Sequence, residues 1–529
     1  MSQRLAGSGA TDPMERFLSP EPIVTLEKAF VNPFKTILTA ARTCYSSKGI
    51  VREADLREGA EALAETLYRA GHHTTIEHAH FQFSLANVSR QFIWSFLHAH
   101  PFYTSEQVSQ RYVEVTPGNV AIPPLRGESL TLYLETIEFQ MGAYRRLAEM
   151  LFPIVENEYR RLFPRRRATE RKYRAAIQKR CLEIARYVLP VATFAYLYHT
   201  ISAITLLRYH RLCQQLDAPH EQRLVVEKMV HEVLRWDPLY ARILEDPLPL
   251  EETPEFAFFT AHFEQLGWEQ RRAFREEFDR SLDGRVSKLV DYKLNNEATL
   301  ADAVRHVLGV SRSVLDDAAA IELVLNPARN RLLGESLNLT TLSKLSRALY
   351  HPNYTFRKKL SHAADSQDQR HRLTPASRPC LTAQFSLEPD FITPELIRYE
   401  EKIERVYIET MERIWSAIAA LRARGVRDEY AMYLLPNAVA VRYTESADLL
   451  NLRHKHAMRL CFLAQEEIWR ASVEEAQQIR DVNPTIGKYL LPPCTLRKLA
   501  GTRPTCPEGD RFCGVPVWRL DLSEYRRLI

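Results

Sequence analysis

Apolar residues recur at helical spacing through most of this chain and alternate with polar residues in only a few short stretches. The clearest helical predictions cover Thr36–Tyr45, Glu58–Arg69, 129–161 and 168–188. Phe81, Phe83 and Leu85 alternate with Gln82 and Ser84, which predicts a half-buried strand that enters a helix near Ala86. The pattern therefore predicts long amphipathic helices with few strands between them.

An internal repeat organises these elements. The sequence EIARYVLPVATF, from Glu183, matches EYAMYLLPNAVA, from Glu429, at an offset of 246 positions. The same offset pairs Ala185 with Ala431, Pro190 with Pro436, His210 with His456, Ala218 with Ala464 and Glu221 with Glu467. Upstream, SLANVSRQF aligns with KLSHAADSQDQ on Ser89 and Ser361. Agreement over so long a window predicts a tandem duplication.

The repeat and the changes in composition divide the chain into five segments. We expect a flexible N-terminus at 1–28, a first copy at 29–240, a linker with a helical insert at 241–300, a second copy at 301–500 and a cysteine-containing tail at 501–529. The segment at 241–300 opens with the proline- and acid-rich DPLPLEETPEF and continues as the densely charged EQRRAFREEFDRS.

Charge and cysteine content exclude several classes of protein. The 71 Lys and Arg residues almost balance the 66 Asp and Glu residues, so no overall field favours nucleic acid as a partner. Eight cysteines in 529 residues are too few for a disulfide scaffold and suggest a reducing compartment. With no apolar signal core and no long apolar run, we expect a cytoplasmic protein that does not enter a membrane.

Two polar stretches carry the candidate chemistry. Arg370-His371-Arg372 places two guanidinium groups beside an imidazole, which suits a phosphate, a carboxylate or the polar edge of a cofactor. A solvated basic patch would have the same sequence. The strand-like run Ser109-Gln110-Arg111-Tyr112 offers the donors and acceptors that read a nucleotide, although a polar strand edge would look alike. From the residues alone, both alternatives stay open.

Four motifs together resemble the flavin-dependent thymidylate synthases. They are the Arg-His-Arg triplet, the Ser-x-Arg-Tyr run at 109–112, the Glu-x-Ala-Arg-x-x-Leu-Pro helix end at 183–190 and the helix from Arg459 to Ile468. The pair Glu77-His78 ahead of the Phe-x-Phe strand fits as well. The resemblance covers most of both copies. It implies an α+β fold with two tandem domains, each a long-helix bundle with a small antiparallel sheet.

The resemblance also implies a reaction and its cofactors. In that family FAD, NADPH and methylenetetrahydrofolate convert dUMP to dTMP, at sites between the subunits of a homotetramer. On this chain it assigns catalytic roles to Ser109, Arg186 and Arg459, and cofactor binding to His78, Arg370, His371 and Arg372. It assigns substrate binding to Ser109, Gln110, Arg111, Arg186, Gln367 and Arg459. No metal is assigned.

The two copies depart from the motifs in complementary ways. Copy one has His98-Ala99-His100 in place of the triplet and Cys213 in place of Arg459. Copy two has LTPASRPC, with Cys380 near the serine position, in place of the Ser-x-Arg-Tyr run, and Met432 in place of Arg186. We therefore expect one composite site between the copies and one inactive counterpart, and we expect two chains to form a pseudo-tetramer.

Other interpretations remain at this stage. An inactive homologue that binds flavin or nucleotide, or serves as a scaffold, would also lose motif residues, and a relative could act on another pyrimidine nucleotide. In the tail, Cys494, Cys506 and Cys513 could ligate a metal, but they form no C-x-x-C pair and no fourth ligand is obvious. Free thiols are the simpler interpretation.

Overall fold

The computed structural model describes residues 16–98, 101–164, 171–216, 219–262, 267–335, 343–384 and 386–529. Within these ranges the chain forms two four-stranded antiparallel sheets, with strand orders β1-β2-β4-β3 and β5-β6-β8-β7. The first contains β1 (Ile23–Ala29), β2 (His80–Ser89), β3 (Tyr103–Gln107) and β4 (Phe194–Ser202). The second contains β5 (Ser287–Tyr292), β6 (Asn353–Ser361), β7 (Ala376–Ser377) and β8 (Ala440–Asp448). The predicted α+β architecture of two tandem domains is confirmed.

Helices surround each sheet. Those before β5 are α1 (Pro33–Thr43), α2 (Ala62–Arg69), α3 (Arg90–His98), α4 (Gly127–Leu162), α5 (Arg171–Ala185), α6 (Ala203–Arg211), α7 (His220–Trp236), α8 (Pro254–Ala261) and α9 (Trp268–Ser281). Those after β5 are α10 (Asn296–Leu308), α11 (Asp317–Leu325), α12 (His362–Asp368), α13 (Leu381–Gln384), α14 (Glu395–Arg398), α15 (Glu401–Ala423), α16 (Asp428–Ala431), α17 (Leu449–Arg459), α18 (Glu466–Val482), α19 (Pro484–Gly487) and α20 (Pro493–Leu499). No helix in the described ranges is both long and apolar enough to cross a bilayer.

The repeat predicted from the sequence is visible in the element boundaries. Strands β4 and β8, like helices α7 and α18, begin and end 246 positions apart. Each copy has its own apolar core between sheet and helices, and a third core, built around α4 and α15, joins the copies.

The structure corrects three local predictions. β2 continues through Ser89 past a bulge with Asn87 at positive φ, so the helix begins at Arg90 and not near Ala86. β1 pairs with β2, so residues 23–28 belong to the first sheet and not to a flexible N-terminus. β5 pairs with β6, so the second sheet begins inside the segment predicted as linker and insert. Edge strands with mixed polarity carry too little hydrophobic periodicity to be found from the sequence.

A local two-fold arrangement joins the copies where the repeat is strongest. Pro190 and Pro436 face each other in an antiparallel bridge. On either side, the amide of Val191 donates to the carbonyl of Leu435 at 2.8 Å, and the amide of Asn437 donates to the carbonyl of Leu189 at 2.8 Å. Because each bond is the counterpart of the other, the interface is isologous, as between identical subunits.

We call this two-fold contact around Pro190 and Pro436 the joint. Two buried carboxyl groups extend the joint into each copy. The hydroxyl of Ser89 donates to Glu221 at 2.6 Å, and Ser361 donates to Glu467 at the same distance. A tyrosine from the opposite copy completes each group: Tyr433 donates to Glu221 at 2.5 Å, and Tyr187 donates to Glu467 at 2.6 Å. Each serine hydroxyl also accepts an amide of the first turn of the helix that follows it. The joint thus fixes where α3 and α12 begin.

Candidate functional site

The run Ser109–Tyr112 forms a turn beyond the end of β3, so the prediction that it is a strand is wrong. The Ser109 hydroxyl accepts the amide of Arg111 at 3.2 Å, and its carbonyl accepts the amides of Tyr112 and Val113. Serine side chains stabilise such local turns in competition with strand pairing. The turn directs Arg111 away from the sheet and towards copy two.

Arg111 connects the two copies. Its Nε donates to the Glu183 carboxylate at 2.9 Å, and its Nη2 donates to the carbonyl of Leu463 in copy two at 2.8 Å. Burial would raise the pKa of Glu183, but the guanidinium groups of Arg111, Arg180 and Arg186 outweigh it and lower this pKa to about 2. Glu183 is therefore ionised and orients the arginine that reaches across the interface.

Gln110 and Arg186 line the same interface and are buried. Asn437 of copy two donates through Nδ2 to Gln110 Oε1 at 3.1 Å and to the carbonyl of Arg186 at 3.0 Å. Arg186 Nε donates to the carbonyl of Glu183 at 3.2 Å. The structure thus brings Ser109, Gln110, Arg111 and Arg186 of copy one together beside copy two.

On the copy-two side, the Arg-His-Arg triplet follows α12 and faces β3 of copy one. Arg370 forms an ion pair with Glu106 of β3 at 2.9 Å. The exposed Arg372 places its guanidinium 5.2 Å from the ring centre of Tyr103, also on β3. Both contacts cross the interface, so the triplet lies next to the copy-one strand that leads into Ser109.

Arg459 completes the copy-two side. Its Nε donates to His371 Nε2 at 2.8 Å, and its Nη2 donates to the carbonyl of Gln367 at 2.9 Å. Burial, assisted by the positive charges of Arg459 and Lys455, holds the pKa of His371 well below its usual range. A neutral imidazole can accept the Arg459 hydrogen at Nε2 and keep its own hydrogen on Nδ1.

Positive charge dominates where the copies meet. The arginines that act electrostatically on one another or on Glu183 are Arg90, Arg111, Arg180, Arg186, Arg370, Arg459 and Arg527. Four donor atoms there are buried without a hydrogen-bond partner among the described residues: Arg90 Nε, Gln110 Nε2, Arg186 Nη2 and Arg527 Nε. Buried donors need an acceptor. The site therefore suits an anionic ligand rich in acceptors.

Three contributors to this site were missed in the sequence. Arg90 donates to Gln107 Oε1 at 3.0 Å, and burial, followed by the charge of Arg186, lowers its pKa to about 9. Arg527 donates to the carbonyls of Phe462 and Ala464 at 2.7 and 2.8 Å, on either side of the carbonyl that Arg111 uses. Asn437 bridges Gln110 and Arg186, as described above. Of these three, only Arg90 could have been identified from the sequence, because it directly follows Ser89, which the repeat aligns with Ser361.

His78 is not joined to the cluster. It ends the 3-10 turn His73–His78 and is exposed. Among the described residues, no hydrogen bond connects it to the arginines. Its assignment to cofactor binding therefore stays a prediction from the family resemblance.

The pseudo-equivalent position on the other side of the two-fold axis is closed. Arg378 pairs with Asp365 through both Nε and Nη2, at 2.8 to 3.0 Å, and Trp94 donates to the same carboxylate at 2.7 Å. Met432 and Cys213, the counterparts of Arg186 and Arg459, are buried. Among the described residues, this position therefore has a paired arginine and carboxylate and buried apolar side chains where the other site has its arginine cluster.

The remaining residues of that position pack against protein, although both ring nitrogens of His98 lack a hydrogen-bond partner among the described residues. The Cys380 thiol contacts the carbonyl of Leu216 at 3.5 Å and the hydroxyl of Thr382 at 3.1 Å. His98 packs against Trp94 at 4.6 Å between ring centres, and residues 99 and 100 lie outside the described part of the chain.

Comparison with known proteins points to one family. The model of the family "Thymidylate synthase complementing protein" matches residues 25–239 and again 288–485. The flavin-dependent thymidylate synthase of Clostridium tetani is 31% identical over 214 residues, which cover 39% of this chain and 80% of that protein. That of Geobacter sulfurreducens is 31% identical over 169 residues, which cover 31% and 70%. Among solved structures, the UMP/dUMP methylase PolB of Streptomyces cacaoi with bound 5-Br dUMP is 19% identical over 42% of this chain and 94% of its own, at a TM-score of 0.28.

Proposed function

Since this chain belongs to the thymidylate synthase complementing protein family, we propose that it is a flavin-dependent thymidylate synthase with one composite site between its two copies. The reaction would transfer a one-carbon unit from methylenetetrahydrofolate to dUMP and complete the methyl group by reduction. The observation that supports it most is the arginine-rich interface, where the retained motif residues of both copies meet.

The nucleotide is assigned to the innermost part of this interface. Arg111 and Arg459 present guanidinium groups from opposite copies, and such groups bind phosphate through paired hydrogen bonds. The buried donors of Gln110 and Arg186 would meet the carbonyl oxygens of a pyrimidine. Ser109 and Gln367 would act by shaping the backbone that holds Arg111 and Arg459. In this arrangement the protein binds and orients the reactants.

The residues present also fit a flavin. Arg370, His371 and Arg372 form the more accessible side of the site and offer two cations and a neutral imidazole to a diphosphate and a heteroaromatic ring. His78 is proposed for the same cofactor from the family resemblance. When bound, FAD reduced by NADPH supplies the hydride equivalents of the reaction. His371, held neutral and oriented by Arg459, would keep its Nδ1 hydrogen available as a donor.

Complementation of a thymidine-requiring host tests the proposal. Expression of this chain should restore growth without thymidine. Arg111→Ala and Arg372→Ala should abolish the rescue, and in purified enzyme Arg111→Ala should lower kcat/KM for dUMP by on the order of 100-fold or more, because it removes a phosphate-binding group. Cys213→Ser is the matched control, because Cys213 is the counterpart of Arg459 at the closed position, and it should still rescue.

Two outcomes would contradict the proposal. A pure protein from which denaturation releases no flavin, even after incubation with excess FAD, would favour an inactive homologue that serves as a scaffold. Flavin binding without rescue, together with turnover of another pyrimidine nucleotide, would favour a relative with a different substrate.

The pairing of two chains stays a prediction, and one difference between the copies supports it. On β4 the outward-facing Tyr196 and Tyr198 are 61% and 57% exposed. The counterpart of Tyr196 in copy two, Arg442, is 4% exposed because Asp279 of α9 and Asp390 bind it. Helix α9 thus covers the outer face of the copy-two sheet at β8. The outer face of the copy-one sheet at β4 is open, and a second chain would pack there.

A further inference from the structure

Four cysteines from distant parts of copy two and the tail surround one small cavity. Cys461 lies in the loop after α17, Cys494 in the first turn of α20, and Cys506 and Cys513 in the irregular tail. All four line the cavity, whose other walls are mainly proline, valine and phenylalanine side chains. The sequence suggested only the last three, and the fold supplies Cys461 as the fourth.

The thiols are close enough to influence one another. Burial, followed by interactions with neighbouring acidic groups that include the other thiols, raises the pKa of Cys494 to about 12 and that of Cys461 to about 11. Each of the six possible pairs among the four cysteines interacts electrostatically. Four partly buried thiols that line one cavity contribute little packing that aliphatic side chains would not provide better. A bound metal centre with thiolate ligands would explain why four cysteines line the same cavity.

Two kinds of thiolate-bound centre place different demands on the four cysteines. A single tetrahedral ion such as zinc needs every sulfur about 2.3 Å from one point. Within the described ranges, no group of three or more His, Cys, Asp or Glu side chains is arranged to hold such an ion. The thiolates of an iron–sulfur cluster bind at its outer corners and therefore stand farther apart than the ligands of one ion. Four cysteines that line one cavity without a single-ion arrangement fit the polynuclear centre better.

The position of the cavity also gives such a centre a structural role. Residues 486–529 lie beyond the second region that the family model matches and contain little regular structure after α20. Short irregular segments of this kind are commonly held by disulfides or metals. The loop that carries Cys461 continues to Leu463, whose carbonyl binds Arg111, and to Ala464, whose carbonyl binds Arg527. A centre here would fix both the tail and one wall of the proposed active site.

We propose that Cys461, Cys494, Cys506 and Cys513 bind an iron–sulfur cluster that anchors residues 486–529 to copy two. The full chain, purified without oxygen and reconstituted with ferrous iron and sulfide, should contain roughly equal iron and acid-labile sulfide, at about two to four of each per chain. Mössbauer spectroscopy distinguishes this iron from the absorption of a flavin. Cys494→Ser and Cys506→Ser should each lose most of the iron.

The matched controls are Cys181→Ser and Cys213→Ser, because these thiols are buried elsewhere in the chain. Both variants should keep the iron of the unmodified protein. The absence of iron from the reconstituted protein, zinc as its only metal, or equal iron loss in the Cys181 and Cys213 variants would each overturn the proposal. The iron and sulfide content of the unmodified chain tests the proposal even where a variant fails to fold. These measurements do not depend on thymidylate synthase activity, so they can fail independently of the proposed function.

Discussion

The two copies fill five matched positions of the layer between sheet and helices with opposite chemistry. In copy one the layer holds the buried side chains Leu85, Phe96, His199, Tyr209 and Met229. By strand register and by the repeat, their counterparts in copy two are Lys358, Asp368, Glu445, Lys455 and Glu475, which are equally buried. One fold thus accepts an aromatic and apolar filling in one copy and five ionisable groups in the other.

The ionisable groups of copy two form a connected network. Lys455 Nζ contacts Asp368 at 2.7 Å and Glu445 at 2.6 Å, while Lys358 Nζ contacts Glu445 at 2.8 Å and Glu475 at 2.7 Å. Two lysines face three carboxyl groups. Burial raises the pKa of Glu445, whereas the lysines hold the pKa values of Asp368 and Glu475 low. A proton on Glu445 makes the network neutral.

The difference between the layers follows the difference between the sites. Asp368 ends α12 just before Arg370 and His371, and Lys455 lies one turn before Arg459 on α17. Buried ion pairs seldom stabilise a fold better than apolar residues would, so their retention suggests a gain in geometry. The charged layer underlies the copy-two half of the composite site, which carries the triplet. The apolar layer underlies the corresponding part of copy one, where the triplet is replaced by His98-Ala99-His100.

The largest expected effect comes from breaking the charged layer. Lys455→Met removes one of the two lysines that face the three carboxyl groups, and removing one member of a buried charge network costs about 3–5 kcal/mol. The counterpart Tyr209→Phe in copy one removes a neutral hydroxyl, which lies 3.4 Å from His199 Nε2, and should cost about 1 kcal/mol. Urea unfolding followed by circular dichroism measures both. Equal losses would show that the two layers do not differ energetically.

A smaller effect is expected at the joint, where the copies are alike. Tyr433→Phe and Tyr187→Phe each remove one hydroxyl that donates to a buried carboxyl group, Glu221 or Glu467. Each should lower the free energy of unfolding by about 2 kcal/mol, because a buried acceptor loses a partner, and Tyr187→Phe should lower it somewhat more because Gln465 Nε2 loses its acceptor. The same urea titration measures this loss. If one variant costs much more than the other, the two-fold symmetry of the joint does not extend to its energetics.

The repeat made much of the fold predictable, because matched residues occupy matched positions. The 246-residue offset read from Glu183 and Glu429 predicts that β4 and β8 are equivalent, and their boundaries agree. It also predicted which motif residues survive in each copy, and the structure places Arg111 and Arg459 at the same interface. The strand predicted at Ser109 was wrong, because a polar run has the same composition in a strand edge and in a turn closed by serine.

The parts that could not be predicted depend on contacts between distant segments without a repeat. Arg527 lies in the tail, which has no counterpart in copy one, so nothing in the sequence relates it to the loop at 462–464. The same holds for Cys461, which reads as an isolated apolar residue until the tail folds back onto it. The charged layer was missed because Lys358, Glu445 and Glu475 are far apart in sequence and resemble surface residues.

The smallest expected effect concerns pH and the apolar layer. Burial lowers the pKa of His199 to about 3, compared with about 6.5 in an unfolded chain. The unfolded state therefore binds a proton that the folded state excludes, so stability falls as the pH drops below 6.5. Between pH 7 and pH 5, His199 should account for a loss of about 1–2 kcal/mol. In His199→Phe, where a ring still packs against Phe96, that part of the loss should disappear from urea titrations at the two pH values. If the variant loses as much stability as the unmodified protein, His199 is not the group that makes the apolar layer sensitive to acid.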